Sequence, residues 1–71
     1  MTSTEINFKN NLVKLRQQSG LSKYKICKDI GLSYGSYSRL EDYRKETVPS
    51  FATMEKLAAY YGVTVSSLFD F

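Results

Sequence analysis

Apolar residues recur at helical spacing along the whole of this 71-residue chain. Phe8, Leu12 and Leu15 stand at i, i+4 and i+7, the stripe of a first helix that closes near Ser19 and Gly20. Lys9, Asn10, Asn11 and Lys14 are expected to cover its other sides. Arg16 lies beside the stripe, where an unpaired charge is costly to bury. Residues 1–5 are polar and expected to fray as a flexible N-terminus, although Thr2-x-x-Glu5 has the spacing of a capping box. The stretch from Leu21 to Tyr43 organises the rest. Ser22 stands where an N-cap belongs, Ile26 and Ile30 follow at i and i+4 with Cys27 on the same face, and Gly31 supplies the left-handed exit. Leu32 is a further buried anchor. Ser33 caps a helix over about 33–43, in which Tyr37, Leu40 and Glu41 face inward and Tyr34, Gly35, Ser38, Arg39 and Asp42 point away.

A polar loop, RKETVP, leads to Ser50, the cap of a fourth helix with Phe51, Met54, Leu57, Ala58 and Tyr61 on its apolar face. Gly62 ends that helix, and Thr64 caps a last short one carrying Val65, Leu68 and Phe69. The pattern predicts an all-α, compact five-helix domain over residues 6–71, without strands or repeats.

Composition narrows the function. Net charge is only +3, but its distribution is uneven. Lys9, Lys14, Arg16, Lys23, Lys25, Lys28, Arg39, Arg44 and Lys45 meet only Asp29, Glu41 and Asp42 in that stretch, a net of +6. The remainder carries Lys56 against Glu5, Glu46, Glu55 and Asp70, a net of −3. One basic and one acidic part suit a protein with a single nucleic-acid-facing side. The chain has no histidine, no glycine-rich phosphate loop, no Cys/His metal spacing and no nucleophile with an evident base. The expectation is no enzyme, no metal, no cofactor and no small-molecule ligand. No secretory signal opens the chain, no apolar run approaches the ~20 residues of a membrane span, and the lone Cys27 suits a reducing cytoplasm.

The second helix breaks a local rule. Lys23 and Lys25 occupy its first turn, where positive charge opposes the helix dipole. Lys25 has Asp29 at i+4, whereas Lys23 has no such partner. A phosphate there would satisfy both the lysine and the free N–H groups.

Ile26, Ile30, Leu32, Tyr37 and Leu40, the small Cys27 and the turn at Gly31 form a helix-turn-helix that resembles the lambdoid phage repressor and Cro family. The likeness runs from Phe8 to Phe69 and includes the closing Gly62-Val63-Thr64-Val65-x-x-Leu68. The resemblance implies that Arg16 pairs with Glu41, a buried ion pair fixing the first helix against the third. It implies double-stranded DNA as partner, with the third helix in the major groove. Tyr34, Gly35 and Arg39 match the family's base-reading positions, and Ser38 is a smaller contributor to the bases. Lys23 matches a phosphate contact, usually a glutamine, and Ser33, Ser36, Arg44 and Lys45 stand where the backbone is gripped. Glycine is usual in place of Tyr43, with a shorter loop before Pro49, so the third helix is expected to run on by a turn or to end less sharply.

Among the outward residues Arg39 alone offers a planar, bidentate donor, the match for guanine O6 and N7. The expectation is a small transcriptional regulator, a Cro-like or repressor subunit of a bacterial cytoplasm, phage- or prophage-encoded. It binds a pseudo-palindromic operator as a homodimer, at least on DNA. Tyr60, Val65, Phe69 and Phe71 supply the apolar surface expected at the dimer contact. The alternative is an interaction module that keeps the fold without reading DNA, with Tyr24, Tyr34, Tyr43, Tyr60 and Phe71 as its contacts.

Overall fold

A computed structural model describes residues 2–46 and 49–70. The elements are α1 (Ser3–Ser19), α2 (Lys23–Ile30), α3 (Tyr34–Glu41), α4 (Phe51–Tyr61) and a closing 3-10 turn at Ser66–Leu68. Among the described residues there is no strand. The caps follow the sequence: Ser22, Ser33 and Ser50 each accept the N–H three residues on, at 3.1–3.2 Å. Gly31 turns α2 into α3 with φ +73°, a conformation that strains any residue with a Cβ.

Phe8, Leu12, Ile26, Cys27, Tyr37, Leu40, Leu57, Ala58 and Leu68 form the buried core. Each large apolar side chain there contributes on the order of 1.5–3 kcal/mol by leaving water. α3 is eight residues long and depends on α1 and α2 for its burial.

Several expectations change. From Thr2 on, the polar start is not frayed: Thr2 and Glu5 complete a capping box and α1 begins at Ser3. The fifth helix is only a 3-10 turn. Asn11 Nδ2 donates to the carbonyls of Leu68 (2.8 Å) and Ser67 (3.4 Å), and Asn7 Nδ2 to that of Phe69 (3.4 Å), so acceptors a longer helix would need are already engaged. Asn11 is thus half-buried rather than a solvated side of α1.

α3 ends at Glu41, not near residue 43, and its exit is not left-handed. Asp42 is extended at φ −88° and ψ 114°, and its carboxylate accepts from the Arg44 backbone N–H at 2.9 Å, drawing the chain into a side-chain-closed turn. Phe51 opens α4 and stays 62 % exposed, so it does not belong to that helix's buried face.

Arg16 and Glu41 form the expected pair. Arg16 Nε lies 2.9 Å from Glu41 Oε2, Nη2 lies 3.0 Å from Oε1, and Nη1 reaches the Leu21 carbonyl at 3.3 Å. The hydrogen bonds it donates to Glu41 raise the Arg16 pKa above its ordinary value. The phenols of Tyr37 and Tyr61 are buried against the same carboxylate. Burial first, and the Glu41 charge after it, pushes both above the usual tyrosine range.

Two measurements follow. The Glu41 side chain is 3 % exposed and that of Arg16 20 %, so Glu41→Ala should cost about 3 kcal/mol by stranding the arginine. A melt series with Arg16→Ala and the double variant should show a coupling energy of about 0.5–3 kcal/mol, and strict additivity would refute the pair's energetic role. Because the folded pKa of Tyr37 and Tyr61 is raised, their contribution is complete below about pH 10, where the unfolded phenols are still neutral. Stability should therefore fall as pH rises above that value, and denaturant titrations of Tyr37→Phe should show a shallower fall.

Candidate nucleic-acid interface

α3 is held on one side and open on the other. Tyr37, Leu40 and Glu41 are buried, while Tyr34, Gly35, Ser36 and Arg39 are exposed and Ser38 is half-buried. This reproduces the expected division of faces. The Arg39 guanidinium makes no hydrogen bond or ion pair among the described residues, and it edges a cleft formed with Leu32, Ser36, Pro49 and Thr53. Its obvious rival partner, Asp42, is taken by Arg44 through Nε and Nη2, both at 3.1 Å. That hydrogen bonding lowers the Asp42 carboxyl to about 2.

Tyr34 is 52 % exposed, with its hydroxyl unbonded among the described residues. It lines a cleft with Tyr24, Cys27, Lys28 and Gly31 at the neighbouring α2. Gly35 has no atom within 4 Å of where a Cβ would stand and its φ is ordinary, so the fold makes no demand for glycine there.

The expected phosphate contacts divide. Lys23 is half-buried and Lys45 exposed, each with an ammonium unpaired among the described residues. Ser33 Oγ accepts the Ser36 N–H and donates to Ser36 Oγ at 2.8 Å, so it serves the helix cap first, while Ser36 keeps a hydroxyl hydrogen to offer outward. Arg44 is not a free cation, since Asp42 holds it. Lys25 pairs with Asp29 at 2.9 Å, as its spacing implies.

Of the residues expected at a dimer contact, Tyr60, Val65 and Phe69 each make contacts within the chain. Phe69 stacks on Phe8 with centroids 5.1 Å apart, and Val65 packs against the core. Tyr60 Oη donates to Asp29 Oδ2 at 2.6 Å, tying α4 to α2 and pushing the phenol up to about 12. Phe71 lies outside the described residues. Phe8 offers a ring to Phe69 and Asp29 an acceptor to Tyr60, so one edge of each of these side chains is engaged within the chain.

The sequence reading missed Lys9. It is fully buried on α1, and its ammonium donates to the carbonyls of Arg39 (2.9 Å) and Leu40 (3.2 Å). Desolvation lowers its pKa from the ordinary lysine value. Its neighbour Asn10 accepts from the Tyr43 hydroxyl. The signal lay in the spacing, because Lys9, Leu12 and Arg16 stand at i, i+3 and i+7 on one face.

The described helices include none long and apolar enough to cross a membrane. Comparison with known proteins adds the lineage. The chain is 33 % identical over 59 residues to "HTH-type transcriptional regulator PuuR" of Escherichia coli (strain K12), a match covering 83 % of this chain and 31 % of that protein. It spans about a third of those regulators' length. It is 34 % identical over 71 residues to "Control protein C.MunI" of Mycoplasma sp, covering 99 % of this chain and 93 % of that one. No solved structure matches. The helix-turn-helix family model matches residues 12–68, from the core of α1 to the closing turn, and the chain belongs to that family.

Proposed function

We propose that this chain binds double-stranded DNA in a sequence-specific manner as a small transcriptional regulator of the Cro or repressor kind, with α3 as the helix that enters the major groove. The observation that carries the reading is Arg39, a guanidinium without a partner among the described residues on the open face of a helix whose opposite face is locked. A planar fork held outward on a rigid helix matches the two acceptors of a guanine edge. Tyr34 would stand nearer the N-terminal end of α3, with its ring or hydroxyl for a thymine methyl or an acceptor, and Gly35 would admit the DNA closely. Ser38, half-buried, is the weaker of these contacts. Lys23, Lys45 and the Ser36 hydroxyl would hold phosphates, and Arg44 would join them on exchanging Asp42 for a phosphate oxygen. Relatives named as a transcriptional regulator and a control protein support the same assignment.

The operator would be pseudo-palindromic, read by two copies with half-sites about one helical turn apart. Tyr60, Val65 and Phe69 retain half-exposed edges at which those copies could meet. The setting would be a bacterial cytoplasm.

Selection of binding sites from random duplex DNA tests the proposal directly. It should return a symmetric site with a guanine in each half, whereas recovery of no preferred sequence would overturn it. On that site, Arg39→Ala should lose about 1–3 kcal/mol and relax preference at one position only. Equal weakening on specific and random DNA would reduce Arg39 to a backbone anchor. Lys23→Ala should behave the other way, lowering affinity for all sequences alike and reducing the slope of log K against log salt by about one. An unaltered slope would exclude its phosphate role.

A further inference from the structure

Lys9 touches no solvent, yet it is bonded to the backbone of the residue on which the proposed readout depends. α3 lacks the closing device that ends α1, α2 and α4, each of which stops at a glycine of positive φ. Tyr43 stands beyond the extended Asp42, and among the described residues the one backbone bond closing the helix is Asp42 N–H to the Arg39 carbonyl at 3.3 Å. The last carbonyls of a helix need donors from elsewhere. Lys9 Nζ supplies them at 2.9 Å to Arg39 and 3.2 Å to Leu40, bringing a positive charge to the negative end of the helix.

We propose that Lys9 is a positioning residue for base readout, a cap delivered from α1 that sets how far α3 and the Arg39 side chain project. The inference rests on the DNA reading above. Arg16 grips the Glu41 side chain and so fixes the rotation of α3 about its own axis. Lys9 grips the peptide carbonyls of Arg39 and Leu40 and fixes the helix along that axis. A bidentate contact needs its donor placed within about 0.5 Å and 10–20°. At the last turn of this eight-residue helix, Arg16 and Lys9 add side-chain donors from α1 to the single local bond from the Asp42 N–H to the Arg39 carbonyl. A merely stabilising lysine would be indifferent to which base is read, and a phosphate-binding lysine would be exposed.

The test is Lys9→Met, which keeps the length and apolar stem but removes the ammonium, compared with wild type at a temperature where both are fully folded. In the free protein, exchange of the Glu41 and Asp42 amides should accelerate by about tenfold relative to core amides of Leu12 and Leu57. On DNA, the ratio of affinities for the selected site and the same site with its guanine replaced should fall by about fivefold or more. Affinity for random duplex and its salt slope should stay unchanged, since Lys9 reaches no phosphate. A preserved ratio would overturn the proposal, as would loss of specific and random binding in equal measure. Lys9→Gln, which retains one donor, should fall between the two proteins; should Lys9→Met not fold, the same ratio in Lys9→Gln decides. If wild type itself shows no guanine preference, the DNA reading fails and readout positioning with it, whereas a guanine preference in wild type that Lys9→Met keeps at the same ratio marks a failure of this inference alone.

Discussion

The C-terminal end of α3 is held by side chains from α1. Two cations from one face of α1 converge there, Arg16 on the Glu41 carboxylate and Lys9 on the terminal carbonyls. A helix end concentrates partial negative charge, and removing it from water without donors is costly. Here the charge is matched from another element, which couples the end of α3 to α1 more tightly than a local cap would. Buried ion pairs contribute little net stability when compared with apolar packing, but they permit few alternative geometries. The site therefore gains orientation where the core gains only cohesion.

The N-terminal end is treated in the opposite way. Ser33 closes the first turn locally, Tyr34 is half exposed, and among the described residues nothing stands within 4 Å of where a Cβ would be at Gly35. Fixed at one end and uncovered at the other, α3 resembles a peg seated in the domain. α4 and the closing turn complete the socket: Leu57, Ala58 and Leu68 fill the space beneath Phe8 and Leu12, and Tyr60 ties α4 to α2 through Asp29.

The helical core was legible in the sequence because it is written in a period that any apolar side chain reports. Phe8, Leu12, Ile26, Tyr37, Leu40 and Leu57 all fell where spacing put them, and Ser22, Ser33 and Ser50 marked the helix starts. The pairing of Arg16 with Glu41 was legible only through family likeness, since neither residue reveals its partner by spacing. What stayed hidden were contacts in which a polar side chain meets a backbone carbonyl far along the chain. Lys9 and Asn11 read as solvated positions by residue type, and the carbonyls they bind carry no sequence signal at all. For the same reason the closing segment read as a helix: the pattern at Val65, Leu68 and Phe69 fits either geometry, and the asparagines that limit it to a short turn lie more than fifty residues away. Phe51 misled through its apolarity, since a residue opening a helix need not share the face that the later turns bury.

The emptiness around Gly35 bears on how such a protein changes over generations. No neighbour constrains that position, and the side chains of Tyr34 and Arg39 carry no hydrogen bond or ion pair among the described residues. Substitutions at exposed sites of this kind shift stability by only about 0.5 kcal/mol in either direction. The outward face of α3 is accordingly free to drift at little risk to the domain, while the seat beneath it tolerates almost nothing. Divergence between sister copies of this chain should accumulate at 34, 35 and 39 far faster than at 9, 16 and 41, so that one scaffold can carry many outward faces without being rebuilt.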